Sequence, residues 1–211
     1  LDLSNNTDFF NFLKGCTSLT SINLSSFDTS SGTSFAAMFR DCSSLTSLDL
    51  SSFDTSSARQ LSSMFRDCSS LTSVDLSSFD TSSVITMAGM FRDCSSLTSV
   101  DLSSFDTGNV KRGMRYMFNG MSSSSQATIT GIEDFDITGM TSGNQMTSLM
   151  TGTSISTTVY DELLVNWEGQ TGYANQNPNF GSSTYTASSA AATARAALVT
   201  AGWTITDGGT A

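Results

Sequence analysis

Apolar positions along the first 150 residues follow two alternating rhythms. Leu45, Leu48, Leu50 and Phe53 are spaced so that Leu48 and Leu50 alternate with Ser47 and Asp49. Period-two alternation of this kind predicts a short strand with one buried face. Leu61, Met64, Phe65 and Cys68 follow at i, i+3, i+4 and i+7, the spacing of one helix face. The pair of rhythms then starts again. Cys16, Cys42, Cys68 and Cys94 recur every 26 residues, as do Phe27, Phe53, Phe79 and Phe105, each followed by Asp-Thr.

A period of 26 lies within the range of leucine-rich repeats. The expected fold is an α/β solenoid: a right-handed leucine-rich-repeat superhelix with a parallel β-sheet on its concave face and short helices on the other. Burying the seven or eight apolar side chains of one unit yields on the order of 10–20 kcal/mol. Ordering its backbone costs at least as much, at about 1–2 kcal/mol per residue. A single unit is therefore not expected to fold without neighbours to share its core.

The array loosens toward both ends. At the N-terminus Leu1-Asp2-Leu3 is followed too soon by Phe12-Leu13 and Cys16, so the first coil reads as incomplete. The chain opens inside a repeat and reads as part of a longer product. Met121 takes the cysteine position of the fourth full coil, and a looser fifth coil runs through Ile129, Ile132, Phe135 and Met146 to Met150. Residues 1–150 are thus assigned to about five coils, and 151–211 to a C-terminal α/β cap. In that cap Tyr160, Leu163, Leu164 and Trp167 predict one helix, the Ala-rich stretch from Ser188 to Thr200 a second, and Trp203–Thr206 a short strand.

Composition narrows the function. The net charge is -10 with no histidine and only 13% charged residues. Such a chain repels phosphate backbones and anionic membranes, so no nucleic-acid partner is expected. No apolar run reaches the roughly 20 residues needed to span a bilayer, so no direct membrane insertion is expected. Catalysis has little to build on. Without His there is no Ser-His or Cys-His nucleophile, and the Asp residues repeat unit after unit where a catalytic pair would be unique. No enzyme and no catalytic residue are assigned. The cysteines read as a row of buried free thiols, and no metal-ligand residues are assigned, because a line of thiols does not converge on one point.

The unit Ser44-Leu45-Thr46-Ser47-Leu48-Asp49-Leu50-Ser51-Ser52-Phe53-Asp54-Thr55-Ser56, with Met64-Phe65 and Cys68-Ser69-Ser70-Leu71, resembles the BspA-like leucine-rich-repeat surface proteins. The ending Gly202-Trp203-Thr204-Ile205-Thr206-Asp207-Gly208-Gly209 resembles the closure of that family. The resemblance implies a bacterial or phage-borne surface protein that attaches to host or neighbouring-cell protein or glycan.

Two files of acids result if the units lie on one another. Asp28, Asp54, Asp80 and Asp106 precede Thr-Ser or Thr-Gly and read as turn residues that accept backbone N–H bonds two residues on. Asp49, Asp75 and Asp101, with Ser47, Ser73 and Ser99, form the candidate ligand-binding set on the concave face. Like charges about 5 Å apart repel by roughly 0.8 kcal/mol in water. A face that keeps this cost suits a cation such as Ca²⁺ or a basic partner; the plainer account is a solvated face that keeps the array soluble. The function expected is a non-catalytic adhesion or receptor-binding module outside the cell, on a cell or virion surface. The alternative is a structural spacer or decoration subunit that contacts copies of itself, or an anchoring subunit, through its N-terminal end.

Overall fold

The computed structural model describes residues 5–121, 128–171 and 175–211. The expected α/β architecture is not the one that forms. Among the described residues, the stretch up to 150 holds no helix, and its only strands are β1 (Ser99–Asp101) and β2 (Thr128–Thr130), paired in parallel. Both helices, α1 (Thr157–Glu168) and α2 (Ala190–Thr200), belong to the C-terminal part. Among the described residues there is no continuous concave sheet and no row of helices opposite it, so the expected right-handed leucine-rich-repeat superhelix is not what the chain forms. Residues 1–4, where the first coil was expected to begin, lie outside the described residues.

The reason for the missing helices is visible in the backbone hydrogen bonds. The N–H groups of Leu61, Ser63, Phe65 and Asp67 do not turn back along their own segment. They donate to the carbonyls of Thr86, Ala88, Met90 and Arg92, one repeat further on, at 2.9–3.2 Å. The intervening groups at Met64, Arg66 and Cys68 close tight turns onto Leu61, Ser63 and Phe65. This alternation requires left-handed backbone at every fourth residue: Ser63 has φ 57° and Asp67 φ 60°, as do Ala37 and Asp41 one repeat earlier at 55° and 63°. An α-helix cannot contain such residues. Leu61, Met64, Phe65 and Cys68 are nonetheless fully buried. The apolar spacing marks what is inside, not the conformation that puts it there.

The same bonding pattern links residues 9–15 to 34–40, 35–41 to 60–66, and 87–93 to 113–119. Side chains repeat along it. Phe39, Phe65, Phe91 and Phe118 stack face to face with centroids 5.6–6.0 Å apart and interplanar angles of 3–12°, contacts that add about 0.5–1.5 kcal/mol per pair beyond burial. The sulfhydryls of Cys42, Cys68 and Cys94 are free and buried, and donate to the carbonyls of Leu13, Phe39 and Phe65. Burial pushes the Cys42 thiol up to about 11 and Cys68 up to about 12, which leaves no thiolate at neutral pH.

A second row joins the repeats where the sequence looks wholly polar. Thr29, Thr55, Thr81 and Thr107, the Thr of each Phe-Asp-Thr, are 1–2% exposed. The Thr55 hydroxyl donates to the Asp80 carbonyl and accepts the Asp80 N–H, both at 2.9 Å. Thr29 and Thr81 do the same with Asp54 and Asp106. One side chain thus satisfies both backbone groups of a residue in the following repeat.

The expected strands shrink for a local reason. Leu48 and Leu50 face inward while Ser47 and Asp49 are exposed. Asp49 Oδ1 then accepts the Ser51 N–H at 3.0 Å and turns the chain directly after Leu50. Only single backbone bonds, such as Thr72 N–H to the Thr46 carbonyl, connect most repeats here.

In the C-terminal part Ser156 and Ser189 cap α1 and α2, accepting the N–H groups of Val159 and Ala192. The helices pack together, and Tyr160, Trp167, Phe180 and Trp203 form an aromatic core with centroids 4.9–6.3 Å apart. The strand expected at Trp203–Thr206 is reduced to one bridge, Asn179 to Thr206. The Met150 N–H donates to the Asn179 carbonyl and the Phe180 N–H to that of Thr206, so inter-segment bonding runs on past the last repeat.

Candidate binding face

Ser47, Asp49, Ser73, Asp75, Ser99 and Asp101 are all exposed, in equivalent places of three successive repeats. Each Asp spends one oxygen on its own turn. Asp49 Oδ1 accepts the Ser51 N–H and hydroxyl at 3.0 and 2.6 Å. Asp75 accepts the Ser77 N–H at 2.9 Å, and Asp101 the Ser103 N–H and hydroxyl at 3.0 and 2.6 Å. Asp101 also takes the Thr130 hydroxyl at 3.2 Å. The Ser51 and Ser103 hydroxyls hold the carboxyls of Asp49 and Asp101 below the ordinary range, and the Ser77 backbone N–H does so for Asp75. Stabilisation of this sign is fully present above the ordinary carboxylate range and is lost as pH falls through the lowered values.

These residues are therefore turn formers as well as surface charges, a role the sequence assigned only to the other file. That file behaves in the same way: Asp54 and Asp80 accept the N–H and hydroxyl of Ser56 and Ser82, and Asp106 the N–H of Gly108. Asn23 occupies the position of Asp49 in the preceding repeat and makes the same two bonds to Ser25, at 3.0 and 2.8 Å. The turn needs the side-chain oxygen but not the charge.

Between two of the repeats the face is dented. A depression of about 330 Å³ is lined by Val74, Asp75, Leu76, Ser77, Asp101, Ser103 and Ser104. Its lining combines carboxylates and hydroxyls with the aliphatic residues Val74 and Leu76. The acids line up along the face, and among the described residues no three Cys, Asp or Glu side chains gather where they could hold a metal ion.

One polar cluster was not legible in the sequence. The Asp207 carboxylate, 3% exposed, takes a forked pair of bonds from Arg195 at 2.7 and 3.1 Å and the Tyr160 hydroxyl at 2.6 Å. The Arg195 guanidinium lies 5.3 Å from the centre of the Tyr185 ring. Burial and the neighbouring carboxylate push the Tyr160 phenol up, and the bond to Asp207 raises Arg195 further. Asp207 Oδ1 also accepts the Gly209 N–H at 3.2 Å. The cluster ties α1, α2 and the C-terminal end together.

Residues 1–74 and 49–159 match the family described as Mycoplasma protein of unknown function, DUF285. The two matches together take in residues 1–159 of the 211. The chain belongs to this family. Neither the curated proteins nor the solved structures contain a match. The DUF285 assignment covers the repeats and the start of α1, leaving the Tyr160–Asp207–Arg195 cluster outside the matched residues. No helix among the described residues is long and apolar enough to cross a membrane.

Proposed function

We propose that the chain is a non-catalytic, BspA-like attachment module that works outside the cell, on a cell or virion surface, and takes its ligand on the face carrying Ser47, Asp49, Ser73, Asp75, Ser99 and Asp101. The observation that carries this reading is Asn23. An uncharged side chain makes the same turn, so the charge at Asp49, Asp75 and Asp101 is not needed to form it, and Asp75 and Asp101 line a depression together with Val74 and Leu76. Carboxylates and hydroxyls beside aliphatic groups suit a sugar, whose ring has polar edges and an apolar face, or a basic peptide of a host or neighbouring-cell protein. A bound cation such as Ca²⁺ would have to share its coordination between this face and the ligand, since the acids do not converge.

The test uses Asp49→Asn, Asp75→Asn and Asp101→Asn together, a change that preserves the turns. Binding to a printed glycan array and to whole host cells is expected to fall at least tenfold while the fold, read by circular dichroism at 25 °C, is unchanged; each tenfold is about 1.4 kcal/mol. Undiminished binding to either probe removes this face as the site.

A second reading is a structural one, a spacer or decoration subunit joined to an anchoring subunit at the N-terminal end. It is favoured by the carbonyls of Phe10, Phe12 and Lys14, which accept no backbone N–H among the described residues, whereas their counterparts Ala36, Met38 and Arg40 do.

A further inference from the structure

The four thiols form a column, and only its first member meets solvent: Cys42, Cys68 and Cys94 are fully buried, whereas Cys16 is half-buried. Each buried sulfur reaches into the repeat before it. The Cys42 thiol donates to the Leu13 carbonyl at 3.1 Å, and the same oxygen accepts the Cys16 N–H at 3.3 Å. Cys68 shares the Phe39 oxygen with the Cys42 N–H, and Cys94 the Phe65 oxygen with the Cys68 N–H. Every sulfur is thus held against the backbone of the preceding cysteine.

Inter-repeat bonds bracket the first pair. The Gly15 N–H donates to the Arg40 carbonyl at 2.8 Å just before it, and the Thr46 N–H to the Thr20 carbonyl at 3.4 Å just after it. Equivalent residues of segments bonded in this way stand roughly 4.8 Å apart. A disulfide needs a Cα separation of about 4.4–6.8 Å. Burial pushes the Cys42 thiol up to about 11, and the Cys16 thiol is near enough to add to the rise. This end of the array also has the least packing: Leu19 and Ile22 are partly buried, whereas Leu45 and Leu48, their counterparts one repeat on, are buried.

We propose that Cys16 and Cys42 are an oxidation site: a small disulfide, RS–SR, enters at Cys16, and Cys42 completes a bond that staples the first two repeats together. Cys16 loses its proton to solvent and its sulfur attacks one sulfur of RS–SR. The mixed disulfide Cys16–S–SR forms and RS⁻ leaves. Cys42 then loses its proton and attacks the Cys16 sulfur, which forms the Cys16–Cys42 bond and expels the second RS⁻. The two cysteines give up two electrons and two protons, and RS–SR is reduced to two thiolates. The scarcity of Cys42 thiolate makes the second step the slow one. Cys68 and Cys94 stay reduced because no oxidant reaches them, and burial pushes Cys68 up to about 12, which keeps it from attacking the new bond. The site uses none of the Ser and Asp side chains of the attachment face and does not depend on that reading.

The experiment is titration of the full, natively folded chain at about pH 8 with dithiodipyridine, whose leaving thiol absorbs in the near ultraviolet. This disulfide is uncharged, so the net charge of -10 does not repel it. The wild type is expected to release two leaving thiols per chain and retain no adduct. Its intact mass should fall by two hydrogens, and peptide mapping should find Cys16 joined to Cys42. Cys42→Ser, which keeps a donor for the Leu13 carbonyl, is expected to release one and keep the adduct on Cys16; Cys16→Ser is expected to release none. Amide exchange at Leu13 and Gly15 should slow at least tenfold in the oxidised wild type. A wild type that keeps its adduct on Cys16, that releases nothing, or that joins any other pair overturns the proposal. So does a Cys16→Ser chain that still releases two.

Discussion

Two segments of this chain carry the same apolar spacing and fold differently. Leu61, Met64, Phe65 and Cys68 in the repeats, and Tyr160, Leu163, Leu164 and Trp167 near the C-terminus, both run i, i+3, i+4, i+7 and are all fully buried. The second set lies on helix α1, capped by Ser156. The first lies on a run of turns with left-handed residues. What separates them is the neighbour. In the repeats, carbonyls of the equivalent segment of the next repeat stand beside the N–H groups and capture every other one. At α1 no such copy lies alongside, and the N–H groups close on their own turn. Burial is set by side-chain spacing, and conformation by where the backbone finds its partners.

The largest expected effect comes from Phe65→Ala. It removes the middle of a four-ring stack and should cost about 3–5 kcal/mol by chemical denaturation. Because Phe65 also sits inside the inter-repeat bonding, amide exchange should speed up at Phe39 and Phe91, in the repeats on either side. Leu163→Ala should cost about 2–5 kcal/mol while leaving exchange in the repeats unchanged. Equal acceleration in both variants would erase the distinction between the segments.

Thr55→Val keeps the shape and strips the Asp80 N–H and carbonyl of their shared partner. A loss of about 1–3 kcal/mol is expected, against less than about 0.5 kcal/mol for Thr46→Val, which lies on the exposed surface. The pH profile divides the molecule in a milder way. Asp49, Asp75, Asp80 and Asp101 have lowered carboxyl pKa values, so their contribution is complete above the ordinary carboxylate range. The melting temperature should be flat from about pH 5 to 8 and fall below about pH 4; a decline beginning near pH 6 would mean that other groups control it.

The smallest effect is the sharpest, because one substitution should act with opposite sign in the two segments. Ser63 has φ 57°, where glycine has no side-chain clash, and the equivalent residue of the next repeat is Gly89. Ser63→Gly should stabilise by about 0.5–1 kcal/mol. Glu162→Gly, inside α1, should destabilise by about 1 kcal/mol. The same sign for both would show that the two backbones are not different in kind.

The sequence carried the side-chain register well and the backbone poorly. The 26-residue period, the inward file of Phe and Cys, and the turn role of Asp54 follow from spacing and from the chemistry of Asp before Ser. The Ser156 and Ser189 caps and their helices are equally local. The helix drawn over Leu61–Cys68 and the sheet drawn over Leu45–Leu50 fail because their conformation depends on residues 26 positions away, which no local window contains. The buried Thr55 was hidden for the same reason: inside Asp-Thr-Ser-Ser it reads as solvated, and only Asp80 makes it a core residue. On the candidate face, the exposure of Asp49 is legible in the alternation, and its bond to Ser51 has the same Asp-x-Ser spacing as the turn at Asp54.

The shared backbone bonding also bears on how such a chain changes length. Each segment hands half of its donors to its successor and receives as many from its predecessor, so a whole unit duplicated in the gene would find both of its edges already matched. The step from Gln60 to Thr86 spans 26 residues and that from Thr86 to Gly113 spans 27, which shows that loops absorb a residue without breaking the register. Growth or loss by recombination between near-identical units is therefore cheap for this architecture, while a deletion of half a unit would leave two incompatible edges facing one another.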